Sequence, residues 1–422
     1  MNKEISLYKK KIGFVLLILL VLTIPLKEDI NTKMLLSLTV FSLFFAIKER
    51  SFNLKKLKNY LPFFSFYLFV LFSLTYTSNI KYGIESSIKL APLIALPFIF
   101  SVIKITRKEF FILIKIIIGW VLILALFSHY TVVKKLLDNN DTFYNIVKME
   151  YSYKALADDA IGIHRSYYAY YVITAILFLT FLTFYKKHIK AFLFLSILYL
   201  SFFVFHLSVR TALLGLFVVI NLYILIYFVK QKKLKRGIFY LLLFYIIVAL
   251  TGYNVRVTRY RFQQIFGFTF HNGPRHDDGQ DKINQWKSSI DANKDFLFGN
   301  GIGDAKESII DSYVKHNMLK DAERKFNAHN QYIQTYVGLG ILGLLLLFWI
   351  FYYYFIFFIK NKLYLGYMFM VVSSILFITE SYLERQKGVV IFTFFICLFI
   401  NIVENNVNLS SRGSQVTPKR HS

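Results

Sequence analysis

Asn327-Ala328-His329-Asn330-Gln331-Tyr332-Ile333-Gln334-Thr335-Tyr336-Val337-Gly338-Leu339-Gly340-Ile341-Leu342-Gly343, with the apolar residues that follow to Ile359, is the stretch that decides the fold. A polar loop gives way here to a long apolar run. About 20 apolar residues in a helix span the hydrocarbon core of a bilayer, so 331–359 predicts a membrane-spanning helix. His329 and Asn330 stand at its start. The first turn of a helix leaves backbone N–H groups without intrahelical partners. That partial positive end suits an anion such as a phosphate.

Similar runs recur along the whole chain. Of 422 residues, 56% are hydrophobic and 19% aromatic, and the mean hydropathy is +0.50. Runs this long and uniformly apolar exclude barrel strands and predict an all-α polytopic membrane protein. Twelve spans can be drawn, at 12–26, 34–47, 61–76, 87–103, 110–128, 166–185, 191–208, 211–229, 237–253, 331–359, 363–379 and 388–403. The first follows Lys9, Lys10 and Lys11 but lacks a small-x-small cleavage site, which predicts a retained helix. The single cysteine, Cys397, lies inside an apolar run, so neither a disulfide framework nor a cysteine metal site is expected.

The net charge of +26 does not point to nucleic acid, because Lys and Arg cluster in the short loops between spans. With the N-terminus in the cytoplasm, every loop expected inside is basic: 48–58, 104–108, 186–190, 230–236 and 360–362. Outer loops such as 77–85 are nearly neutral. This is the positive-inside pattern. It divides the chain into nine spans over 1–253, a large outer loop over 254–328, three spans over 329–403 and a basic cytoplasmic tail over 404–422, whose composition predicts disorder. A second long outer loop is expected at 129–165. Inside the large loop, Ile283, Trp286 and Ile290 recur at helical spacing, as do Ile309, Ile310, Tyr313, Val314 and Met318. Each set predicts an amphipathic helix that lies on the membrane surface or caps the bundle.

The polar groups suited to chemistry gather at the outer ends of spans. Arg210 sits in a very short turn between apolar sequences, where a charge is costly unless it faces the bundle interior or snorkels. A guanidinium matches phosphate oxygens in bidentate geometry. His329 suits a general base, a donor to phosphate, or a helix-start residue satisfied by its neighbours. His164 and Arg165 open the sixth span. Arg256, Arg259 and Arg261 follow the ninth. Glu380, Glu384, Arg385 and Lys387 lie between the last two, where a local ion pair closing the turn is the simpler reading. Lys89 and Lys115 are the main charges within spans. No metal-binding motif is evident.

Four segments together resemble the O-antigen ligase family, a group that also holds O-antigen polymerases and protein O-oligosaccharyltransferases. They are His164-Arg165-Ser166-Tyr167-Tyr168, Ser208-Val209-Arg210-Thr211, Trp286 with Phe298-Gly299-Asn300-Gly301-Ile302-Gly303, and Ala328-His329-Asn330-Gln331-Tyr332-Ile333 with its following glycines. The resemblance covers about 84–400. It implies a GT-C type glycosyltransferase of the bacterial inner membrane, with both termini cytoplasmic and a large periplasmic loop. The implied donor is a glycan on undecaprenyl diphosphate and the implied acceptor a lipid A–core sugar hydroxyl, with membrane lipids around it and no cofactor or metal. It assigns His329 and Arg210 to catalysis. His164, Arg165, Arg256, Arg259, Asn330, Glu380 and Arg385 are expected to hold diphosphate or acceptor. Many members have Arg four residues before the loop Trp; here that position is Lys282, a point charge in its place. Polymerase or protein glycosylation activity are alternatives within the same chemistry. A lipid-linked glycan flippase is the alternative of another class, and it predicts mid-span charges and inverted repeats.

Overall fold

The computed structural model describes residues 3–48, 57–138, 155–183, 190–207, 209–254 and 278–405. Among them the regular structure is helical, with no strand. In chain order the helices are α1 (Lys3–Thr23), α2 (Glu28–Lys48), α3 (Leu61–Phe72), α4 (Ile80–Leu90), α5 (Pro92–Val102), α6 (Arg107–Asp138), α7 (Arg165–Thr183), α8 (Lys190–Leu207), α9 (Arg210–Lys230), α10 (Leu234–Asn254), α11 (Asp278–Asp291), α12 (Ala305–Lys315), α13 (Leu319–Glu323), α14 (Gln331–Lys360), α15 (Tyr364–Leu376) and α16 (Gln386–Glu404). Seven stretches among the described residues are long and apolar enough to cross a membrane on their own: α2, α4 with α5, α6, α7, most of α9, α14 and α16. Multiple apolar helices of this kind make the chain a multi-pass membrane protein.

Two helices sit at the centre. Residues 166–182 of α7 and 387–402 of α16 are buried without interruption. A helix that is apolar all round and covered all round is surrounded by other helices. The peripheral helices differ. On α8, Phe192, Phe194, Leu195 and Leu198 are exposed, an outward apolar strip of the kind lipid covers.

The structure departs from the periodicity reading in two places. α6 runs on to Asp138 instead of ending near 128, because Val132 and Leu136 continue its buried face. The loop expected from 129 therefore begins after Asp138. The run at 331–359 is also not one regular helix. Gly340 interrupts α14 with φ 63° and ψ −166°, a region open essentially to glycine alone. The carbonyls and N–H groups freed by the break are taken up by the loop that precedes α14. Ile341 N–H donates to the Phe296 carbonyl (2.9 Å), and Asn300 N–H donates to the Val337 carbonyl (2.8 Å). A Cβ on Gly340 would stand 2.2 Å from the Leu297 carbonyl oxygen, and one on Gly299, itself at φ 71°, 2.4 Å from the Gly340 nitrogen. The glycine turn is therefore stitched into the broken helix. Asp304, directly after that turn, accepts from the N–H groups of Ser78 (2.6 Å) and Asn79 (2.7 Å). This fastens the loop to the start of α4.

The described residues between α10 and α14 cap the bundle. Ala292, Ala305, Ile309, Tyr313, Ala322, Ala328 and Val337 form a small core of their own. The stripe expected on α12 is half right, since Ile309 and Tyr313 are buried while Val314 is exposed. On α11 the packed face is not the Ile283, Trp286, Ile290 stripe. It is Gln285, Ser288 and Ser289. Ser288 Oγ lies 3.1 Å from Ser312 Oγ, and Ser289 Oγ lies 3.2 Å from the Tyr313 hydroxyl. Small hydroxyl side chains let α11 and α12 approach closely, leaving Ile290 exposed.

Candidate functional site

His329 has φ 46°, a left-handed conformation that is uncommon for a residue with a side chain. Two neighbours hold it. The Asn327 side chain accepts its N–H (3.0 Å), and Gln334 Oε1 accepts the N–H of Ala328 (3.1 Å). The edge of the ring packs on Phe326, with centroids 5.1 Å apart. Backbone strain of this sort clusters at functional sites.

The helix start itself is closed. Asn330 Oδ1 accepts from the N–H groups of Tyr332 (2.9 Å) and Ile333 (3.1 Å), and Gln331 N–H donates to the Phe377 carbonyl (2.8 Å). Asn330 and Gln331 are buried, where an unpaired N–H is costly. The donors expected to face an anion are thus spent inside the protein. What the junction presents instead is the imidazole.

That imidazole meets a carboxylate. His329 Nδ1 lies 3.6 Å from Glu380 Oε1, and both side chains are largely buried, at 21% and 11% exposure. Glu380 lies on the loop joining α15 to α16. Gln331 holds that loop in place: besides its N–H bond to Phe377, its Oε1 accepts the Leu383 N–H (2.7 Å). Burial opposes ionisation of Glu380, but its contact with His329, with His164 and Lys282 nearby, outweighs that and holds the carboxyl down at about 2. Glu380 is therefore the charged partner of the site at neutral pH.

The structure gathers several of the sequence-predicted residues around this pair. His164, at the start of α7, feels Glu380, Arg385, Asp158 and Arg165. Burial is the largest influence on it and pushes its imidazole below the ordinary 6.5. Lys282, on α11, acts on Glu380 across the site. One turn along the same helix, the Trp286 Nε1–H is buried with no hydrogen-bond partner, as is the hydroxyl of Ser381 beside Glu380. Arg210 is the first residue of α9. The next residue, Thr211, accepts a hydrogen bond from the hydroxyl of Thr379 (2.6 Å), so the first turn of α9 abuts the residue preceding Glu380. Arg256 and Arg259 lie outside the described residues. Arg385 is exposed, with its guanidinium 5.9 Å from the Tyr167 ring centroid, so it does not form the local ion pair read for the turn.

Glu384 turns the other way. Gln334, Lys89 and Lys306 surround it, yet burial prevails and its carboxyl is raised above the ordinary range. The ammonium groups of Lys89 and Lys306 also flank the Tyr82 ring, at 5.2 and 5.7 Å from its centroid. Lys89 thus faces loop groups. Gln334 and Lys306 carried no signal in the sequence that could have marked them. The pairing of His329 with Glu380, 51 residues apart, is likewise a product of how α14 and the α15–α16 loop meet.

The O-antigen ligase family model matches residues 195–348, a stretch that contains Arg210, Lys282, His329 and Asn330 and stops short of Glu380. No curated protein matches the chain. Over those residues the chain is similar to the O-antigen ligase family.

Proposed function

We propose that the chain transfers a glycan from undecaprenyl diphosphate to a sugar hydroxyl of lipid A–core at the periplasmic face of the bacterial inner membrane, with twelve crossings and both termini in the cytoplasm. The observation that carries this reading is the His329–Glu380 contact, held at the junction of loop cap and bundle. A carboxylate facing Nδ1 favours the tautomer with its proton there, which leaves Nε2 free as an acceptor. Nε2 then takes the proton of the acceptor hydroxyl while that oxygen attacks the anomeric carbon. The bond from that carbon to the diphosphate oxygen breaks, and negative charge builds on the leaving group. Arg210 and Lys282, from the two elements that border Glu380, are assigned to that charge, with Arg256 and Arg259 as further candidates. The exposed apolar strips suit the polyprenyl tail. The route uses side chains alone and assigns no role to a metal.

Polymerase and protein glycosylation are the second reading, since the same donor chemistry serves both and the acceptor alone differs. The test is a purified chain given undecaprenyl-diphosphate-linked glycan and lipid A–core. The expected product is ligated lipid A–core. Elongated lipid-linked glycan in its place would move the assignment to a polymerase. A chain that releases no diphosphate from the donor under any acceptor would end the transferase reading.

A further inference from the structure

A cavity of about 270 Å³ opens beside His164, lined among others by Lys27, Glu28, His164, Tyr167, Arg385 and Lys387. Three cations face one carboxylate there. They come from two places in the chain, the α1–α2 turn and the start of α16. Lys387 is 7% exposed, and Glu28 and Arg385 both act on its ammonium. A buried ammonium beside a guanidinium is costly without a counter-charge. Glu28 supplies only part of it, because its side chain is exposed to solvent.

We propose that this cavity, whose lining does not include His329 or Glu380, is a phosphate-binding site. A phosphate presents three or more acceptor oxygens, enough to engage Lys27, Arg385 and Lys387 together, whereas a carboxylate has two. The Tyr167 ring, with Arg385 over it, forms an apolar wall on which the carbon skeleton bearing the phosphate rests. Two sources present the same group at this outer rim: the headgroup of an anionic phospholipid, and a phosphorylated sugar. The inference does not depend on the transfer reaction.

The test is thermal stabilisation of the full chain in detergent by two probes, dioctanoyl phosphatidic acid and glucosamine 1-phosphate. Each is paired with its phosphate-free counterpart, dioctanoylglycerol or glucosamine. Saturable stabilisation by a phosphate-bearing probe only is expected. Removing one cation weakens half-saturation about tenfold, the scale of one charged hydrogen bond. Lys387→Gln tests the buried cation. Lys27→Gln with Arg385→Gln tests the exposed ones and does not disturb the core. Lys387→Arg retains binding. A response to phosphatidic acid alone assigns a lipid headgroup, and a response to the sugar phosphate alone assigns a glycan phosphate. No saturable response to either, or an equal response in the substituted chains, overturns the site. His329→Ala binds the probes as the native chain does, so loss of phosphate binding and loss of transfer are read separately.

Discussion

Glu380 and Glu384 belong to one loop and lie one helical turn apart in sequence, yet the two sides of that loop treat them oppositely. Glu380 faces His329, His164 and Lys282 and is held far down at about 2. Glu384 faces Lys89, Lys306 and Gln334, and burial still raises it. Cations are near both. What differs is the close imidazole at 3.6 Å on the Glu380 side. A buried carboxyl keeps its charge only where partners replace the water it has lost. The lesson is that the loop has a charged face turned to His329 and a face held toward neutrality turned to α4 and α12, and the first is the one fit to orient a base.

Four substitutions break or sharpen that comparison. His329→Ala removes the group the charged face serves, and transfer falls about 10²- to 10⁴-fold, the usual worth of a general base. Quantified ligated product alongside an unchanged melting temperature checks this. Glu380→Gln keeps the shape and removes the charge. A carboxylate that orients an imidazole is typically worth about 10–100-fold, so the loss is smaller and falls on kcat more than on KM. Glu384→Gln replaces a carboxyl already held toward its neutral form. It touches no group on the His329 face, so transfer changes less than in Glu380→Gln. A loss there equal to that of Glu380→Gln would erase the distinction between the faces.

The smallest effect is in pH. Burial lowers the His164 imidazole below 6.5, so the unfolded chain takes up a proton that the folded chain resists. Folded stability contributed by His164 is therefore constant above about 6.5 and falls as pH drops below it, with a slope of at most about 1.4 kcal/mol per pH unit. His164→Gln flattens that limb in a melting series from pH 7.5 to 5.5. An unchanged slope contradicts the burial argument.

What could be read from the sequence follows from how far each interaction reaches. Apolar runs and basic loops are local, so each of the twelve runs falls on helical structure, the one at 87–103 across two helices, and His329 at the junction takes a left-handed backbone. The Gly340 break was not legible, because Gly338-Leu339-Gly340 is compatible with a continuing helix until the carbonyls of Phe296 and Leu297 are brought against it. The buried face of α11 was missed for a similar reason: serines count as polar in a periodicity reading, but against Ser312 and Tyr313 they pack. Asn330 at the helix start is local too, and its oxygen caps its own helix. Glu380 is a candidate by its place between the last two spans, but nothing in sequence distance tells it apart from Glu384.

The central claim is that Glu380 and His329 act as one unit in transfer. The most direct measurement is a double-mutant comparison of transfer rates for the native chain, His329→Ala, Glu380→Gln and the two together, with undecaprenyl-diphosphate-linked glycan as donor. If the carboxylate works through the imidazole, the double substitution is no slower than His329→Ala alone. Losses that multiply instead would show two independent groups and contradict the account.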